Sequence, residues 1–254
     1  GGMGNATGDA AGTVADIASQ AEGAMSNAVL LIALAAVADG ASLFFSQFQE
    51  ASSGNNKYYE IYNPFGYAVD LKSEYALCSC GNGCDANGVF DYGFNFNGVI
   101  AAGGTYLVCN SGLEGDTSAC DEIHGWPEVS FNGDDFQALV MGTDCTTATS
   151  ADIVDTMGLF STTDPGSYWP VCGSSSGMDT QNGLLIRANT TCSGDSTGAV
   201  FQDSFNGDCP WIEVDQYTTP YVWTAAGSCA GVPNPTDGAQ LPAFDVSAHG
   251  SDVA

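Results

Sequence analysis

From Leu43 onward the chain is cut into short aromatic or β-branched runs, and this pattern restricts its fold more than any other feature. The runs are "LFFSQFQE", "KYYEIYN", "SEYALCSC", "GTYLVCN", "FQALVMG", "DIVDTMGLF", "NGLLIR" and "WIEV". Between them stand clusters of Gly, Asn, Asp, Ser and Pro, such as "SSGNN", "NPFG", "GNGCDANG" and "FNGDD". Short strands separated by frequent turn signals predict an all-β sandwich. In "KYYEIYN", strand periodicity puts Tyr59 and Ile61 on one face and Tyr58, Glu60 and Tyr62 on the other.

Charge narrows the function. Thirty acidic residues stand against three basic ones, Lys57, Lys72 and Arg187, for a formal net charge of -27. Binding a nucleic-acid backbone requires clustered Lys and Arg to displace counterions, so a nucleic-acid partner is excluded. An anionic lipid surface is disfavoured for the same reason. Such a surface suits a salty medium, where screening reduces self-repulsion. A hydrophobic fraction of 44% still supplies a sizeable core.

The ten cysteines are Cys78, Cys80, Cys84, Cys109, Cys120, Cys145, Cys172, Cys192, Cys209 and Cys229. Their even number and wide spread predict disulfides and an oxidising compartment, hence an extracellular or cell-surface location. Ten cysteines allow roughly 945 pairings, and spacing alone does not choose among them. Cys109 with Cys120 and Cys209 with Cys229 are the local candidates, since each pair closes a modest loop. Cys78 and Cys80 fall on one face of a strand. A thiolate metal cluster is the weaker reading of "CSCGNGC", because the spacing is unlike C-x-x-C. Asn5 in "NAT" and Asn189 in "NTT" match the N-glycosylation acceptor pattern.

Before the β-rich part lies "NAVLLIALAAVADG", residues 27–40. Its apolar stretch is too short to span a bilayer, which needs roughly 20 residues. It has the length of a secretion-signal core beginning near Met25, but no Lys or Arg precedes it. Val14, Ile17, Ala18, Ala21, Met25, Ala28 and Ile32 recur at helical spacing. Asp9 serves as an N-cap and Gly40 as a stop, so one helix is predicted over about residues 10–38. Its second half is apolar nearly all round and must be buried, either on its own domain or between subunits. The subunit reading is preferred, with Val29, Leu30, Leu31, Ile32, Leu34 and Val37 as interface residues. The opening "GGMG", without methionine in first place, suggests processing from a precursor.

The order and spacing of several segments resemble the lamin-tail domain family. They are "LFFSQFQEASSGNNKYYEIYNPFGYAVDL" (43–71), "GVIAAGGTYLVCNSG" (98–112), "FNGDDFQALV" (131–140), "DIVDTMGLFSTTDPGSYW" (152–169) and "NGLLIR" (182–187). The resemblance covers roughly residues 43–215. Ala51 replaces the usual glycine, and the cysteines, the "CSCGNGC" insert and the longer "DCTTATSA" segment depart from the family pattern. The resemblance implies an immunoglobulin-like β-sandwich that binds or supports rather than catalyses. The sequence lacks the heptad rod of a lamin.

Catalytic and metal motifs are weak. "GSSSG" (173–177) fits G-x-S-x-G with Ser175 as nucleophile, and Asp245 and His249 follow in the right order. Its flanks, "WPVC" and "MDTQNG", read as loop rather than the strand and helix that an elbow needs. His124, in "DEIHGWPE", also reads as loop. Two separated histidines do not make a zinc site. No cluster of metal carboxylates and basic phosphate contacts suggests a nuclease. Asp85, Asn87 and Asp91 resemble part of a calcium loop but lack its spacing and distal glutamate. Asp134 and Asp135 read as turn residues. No specific cofactor is expected, only loosely held divalent cations.

The expected protein is mainly β, an immunoglobulin-like sandwich preceded by an apolar α-helix. Its parts are an assembly helix over 1–40, a disulfide-stapled sandwich over 41–230 and a Pro/Gly/Ala-rich tail over 231–254. The expected function is non-enzymatic: an extracellular, self-assembling filament or surface-structure subunit whose partners are copies of itself or other surface subunits. The alternative is a secreted carbohydrate- or protein-binding module, and less favoured is the accessory domain of a secreted nuclease.

Overall fold

Strands form where the aromatic and β-branched runs stand. The structure, a computed structural model, describes residues 41–50, 55–84, 88–114, 117–189 and 191–214. The chain divides into two compact units, Gly1–Gly40 and Ala41–Ala254. The described residues all belong to the second. The predicted helix over 10–38, its six interface residues and the tail over 231–254 lie outside them.

In chain order the strands are β1 (Phe44–Gln49), β2 (Tyr58–Tyr62), β3 (Val69–Asp70), β4 (Tyr75–Cys80), β5 (Tyr92–Asn95), β6 (Val99–Ile100) and β7 (Thr105–Asn110). They continue with β8 (Glu122–His124), β9 (Phe136–Met141), β10 (Ile153–Met157), β11 (Pro170–Val171), β12 (Met178–Asp179), β13 (Leu184–Arg187) and β14 (Trp211–Val214). A single helical turn, α1 (Leu71–Glu74), is capped by the Asp70 side chain, which accepts from the Lys72 N–H. The unit is thus mainly β, as the run lengths predict.

Two large sheets carry the fold. One has the order β14-β13-β1-β2-β7-β8, the other β10-β9-β4-β5. All their pairings are antiparallel except β7 with β8. Side chains of one sheet bond to the other. The Tyr59 hydroxyl donates to Gln137 Oε1 over 2.8 Å, and Gln137 Oε1 also accepts from Ser79 Oγ. Burial, reinforced by the charges of Tyr92 and Asp135, pushes the Tyr59 phenol well above its ordinary pKa. Phe48, Tyr59 and Phe131 pack with centroids 4.6 to 6.0 Å apart, in tilted arrangements that suit aromatic quadrupoles.

The central strands of each sheet, β2 and β4 among them, are buried on both faces, while the edge strands β5, β8 and β14 carry exposed residues. All five residues of β2 are buried, with Tyr59 bonded to the second sheet and Tyr58 and Tyr62 in a separate cluster with Phe44, Leu107, Leu184 and Ile186. The expected split of faces therefore holds, but neither face is left to water. On the smaller sheet, Cys78 and Cys80 share one face with Ala76, Ala138 and Val140. Cys145 reaches this face through Cys78, and the Cys80–Cys84 bridge folds the "GNG" turn onto it. The cysteine insert thus covers a sheet face that would otherwise be exposed.

Two of the three basic residues lie inside. Lys57 Nζ donates to Glu50 Oε1 at 2.8 Å and to the Phe131 carbonyl, while Glu50 Oε2 accepts the Asn182 N–H at 2.6 Å. Arg187, 2% exposed, donates to Asp155, which is fully buried, at 2.5 Å. Its guanidinium stacks on Trp211 at 4.0 Å. The pair sits where β1 and β10 both bulge, between Phe45 and Gln47 and between Ile153 and Asp155. A bulge disrupts the hydrogen-bond ladder locally. Here the Phe45 N–H donates to Asp155 Oδ2 at 2.7 Å, and the Phe45 carbonyl accepts from Arg187 Nε at 3.1 Å. The ion pair thus satisfies both backbone polar groups of Phe45, beside the irregularity.

Candidate binding cleft

Three segments after β10 enclose an open cleft of about 590 Å³. They are the loop from Leu159 to Trp169, the hairpin of β11 and β12, and the 3-10 turn Ala199–Phe201 with Gln202 and Asp203 following it. Trp169 and Phe201 are buried at 4% and 2% exposure and form its floor, whereas Tyr168 stands 45% exposed at its mouth.

Local bonding fixes each wall. The Trp169 indole N–H donates to the Asp134 carbonyl at 3.1 Å, and its backbone N–H donates to Thr180 Oγ1 at 2.9 Å. Gly158 lies against the indole at φ +100°. A Cβ there would come within 2.7 Å of Trp169 Nε1, so the position requires glycine. In the hairpin turn, Ser176 Oγ donates to the Gly173 carbonyl and accepts the Met178 N–H. The Cys172–Cys209 disulfide ties the hairpin to the segment leading into β14.

The third wall is connected to the buried ion pair. The Asp195 N–H donates to Asp155 Oδ1 at 2.7 Å. The Asp195 carboxylate accepts the N–H groups of Thr197 and Val200, setting up the turn that carries Phe201. The Val200 carbonyl then accepts the Cys172 N–H at 2.6 Å. A continuous path of bonds thus runs from Arg187 to the cleft wall.

Carboxylates, hydroxyls and an amide surround the opening. Asp179 and Asp203 are the charged residues lining it, and no lining residue is Lys, Arg or His. Burial first, then the charge of Asp179, raises the pKa of nearby Glu213. Asp179 Oδ1 accepts the Gln181 N–H, which anchors that carboxylate. Such a site offers hydrogen-bond acceptors and an aromatic face, not a compensating charge for an anion.

The sequence-predicted positions distribute as follows. Ser175 is exposed in the turn between β11 and β12. Its flanks, expected to be loop, are two-residue strands, because Pro170 pairs with Asp179 and Val171 with Met178. Asp245 and His249 lie outside the described residues. His124 was expected in a loop; it is the last residue of β8, since this segment pairs in parallel with β7. Its Nε2 lies 2.8 Å from Glu122 Oε1, and its ring stacks on Phe94 at 4.0 Å. Asp85 and Asn87 lie outside the described residues, and Asp91 accepts the Gly81 N–H. Asp135 caps its own turn by accepting the Asn132 N–H. Among the described residues no group of three or more His, Cys, Asp or Glu side chains is arranged to hold a metal.

Nine of the ten predicted disulfide cysteines are described, and all nine are bridged. Cys109 pairs with Cys120, as the short spacing suggests. The expected Cys209–Cys229 pairing is incorrect, because Cys209 is bonded to Cys172. Cys229 itself lies outside the described residues. Asn189 is exposed, as an acceptor asparagine must be, and Asn5 lies outside the described residues. No helix among the described residues is long and apolar enough to cross a membrane.

No family model matches the chain, and neither do curated proteins or solved structures. The residues themselves therefore carry the functional argument. Sequence reasoning missed the cleft, whose residues are spread from Leu159 to Asp203 without a motif. It also missed the two internal ion pairs. Their signal was the rarity of cations: a lone Arg closing the apolar run "NGLLIR" has few reasons to be there except a buried partner.

Proposed function

We propose that this chain is an extracellular structural protein, a subunit of a filament or surface assembly. In this reading the apolar segment Val29–Val37 joins copies of the chain. An immunoglobulin-like sandwich of the lamin-tail type faces solvent and performs no catalysis. The observation that carries the reading is the division at Gly40, which assigns the apolar segment and the β-rich part to separate compact units. The dense disulfides support it further, because they suit an exposed domain in an oxidising medium.

The test is Leu31→Asp beside wild type, by sedimentation and circular dichroism. An unpaired charge in an apolar contact is costly enough to abolish association. A folded monomer from an assembling parent is the expected result. Outright unfolding would assign the segment to the core of its own domain, and continued assembly would place the contacts elsewhere; either defeats the reading. A second reading, a secreted binding module, is favoured by one observation, the preformed cleft around Tyr168.

A further inference from the structure

We propose that the cleft between the Leu159–Trp169 loop, the β11–β12 hairpin and the Phe201 turn binds a neutral oligosaccharide, with Tyr168 as its stacking platform.

Charge excludes most alternatives. A phosphate, sulfate or uronate ligand would meet Asp179 and Asp203 with no cation to offset them, on a chain of net charge -27. A purely apolar ligand would strip water from Ser161, Thr163, Ser174 and Gln202 without replacing its hydrogen bonds, at a cost for each polar group left bare. Sugar hydroxyls both donate and accept, as do these side chains, and carboxylates accept from hydroxyl donors.

The aromatic groups fit the same ligand. A pyranose ring has a face of C–H groups with partial positive charge, which suits the negative face of an aromatic ring. Tyr168 is the lining ring that solvent reaches, while Trp169 and Phe201 are buried in the cleft wall. Asp179, Asp203 and the Tyr168 ring would also attract a cation, so a cationic peptide is the competitor that the experiment separates from the sugars. Its volume of about 590 Å³ lies within the ~300–1,000 Å³ of small-molecule sites.

The walls are fixed in advance. The Cys172–Cys209 bridge, the pinned indole of Trp169 and the turn held by Asp195 leave little to be ordered when a ligand arrives. The proposal does not depend on assembly, since every residue it uses belongs to the second compact unit.

The experiment titrates the 254-residue chain with cellohexaose, laminarihexaose, mannohexaose and chitohexaose, followed by intrinsic fluorescence and saturation-transfer NMR. Trilysine and oligogalacturonate serve as cationic and anionic comparisons. At least one neutral oligosaccharide should bind saturably at millimolar concentration or below. Tyr168→Ala should weaken it about tenfold, and Tyr168→Phe should restore most of the affinity. Asp203→Asn, at an exposed position that leaves the fold intact, should weaken it by a similar factor. Circular dichroism verifies that each variant is folded. Failure of every neutral sugar to bind overturns the proposal. So does affinity unchanged in either Tyr168→Ala or Asp203→Asn, or binding of trilysine in preference to the sugars.

Discussion

Asp155→Ala should be the most damaging single substitution in the β-rich unit. The side chain is fully buried and accepts from three groups: Arg187, the Phe45 N–H and the Asp195 N–H. Removing it strands a guanidinium that is only 2% exposed, at about 3–5 kcal/mol. It also bares the Phe45 N–H at the β1 bulge, at about 1–3 kcal/mol. Neighbouring effects do not simply add, so about 4–6 kcal/mol is expected, or about 8–24 °C in melting temperature. Arg187→Met should cost less, about 3 kcal/mol, because the carboxyl keeps two N–H donors and can take up a proton. Burial already pushes the Asp155 carboxyl up, against the opposing pull of Arg187 and of the N–H groups of Asp195 and Phe45. Without Arg187 its folded pKa rises further above its unfolded value of about 4. The native state then binds the proton more tightly, so the variant loses stability as pH climbs through the folded pKa. Urea melts of the oxidised protein, wild type beside both variants at about pH 5 and pH 7, measure all of this without adding salt. A cost below about 1 kcal/mol for Asp155→Ala, or an Arg187→Met variant no less stable at the higher pH, would show that the pair does not brace the two bulges.

Three further outcomes follow from the disulfides and from Glu122. Peptide mapping without reduction should recover Cys172 joined to Cys209, and removing Cys78–Cys145 should destabilise more than removing Cys80–Cys84. The chain separations of 67 and 4 correspond to about 4 and 2 kcal/mol of loop entropy. Glu122 should contribute an acid-sensitive increment. Burial alone would raise its pKa, but His124, the Tyr106 hydroxyl and the Asn97 N–H and amide bond to the carboxylate and hold it below the ordinary value. The unfolded chain therefore binds that proton more readily, and the stability is present above about pH 4.5 and lost as pH falls. Glu122→Gln should cost about 1–3 kcal/mol near neutrality and progressively less in acid; a deficit independent of pH would contradict this assignment.

The long strands were legible because each forms one uninterrupted run. In β2 the alternation of Tyr58 and Tyr59 between faces followed from period two alone. The short strands were not legible. β8, β11 and β12 have only two or three residues each, and their pairing is set by a neighbour rather than by their own pattern. Disulfide choice was obscured by weak entropy: Cys209 closes on Cys172 across 37 residues rather than on Cys229 across 20. Loop-closure cost grows only logarithmically, so these alternatives differ by about 0.5 kcal/mol before any packing is considered. The cleft was hidden for a related reason. Its rim is made by Ser161, Tyr168, Asp179 and Asp203, which carry no common spacing and meet only after the sheets have formed.

The placement of the cations bears on how copies of this chain would meet. Lys57 and Arg187 are buried with Glu50 and Asp155, so these two pairs are neutral and internal. Replacing such pairs by apolar residues is often harmless elsewhere, but here each also satisfies backbone groups that no apolar side chain would serve. That fixes them in the interior and leaves Lys72, which is exposed, as the only other Lys or Arg in the chain. An exterior with one such cation cannot form a network of complementary ion pairs with a second copy. Like charges on approaching copies repel, and physiological salt screens them only beyond about 8 Å. Attraction between copies must then come from apolar burial, at roughly 25 cal/mol per Å², on a surface free of carboxylates. The stretch from Ala28 to Ala38 is such a surface in the sequence: it contains no charged residue and ends at Asp39. This charge distribution thus assigns cohesion, in the proposed assembly, to the segment that carries no charge.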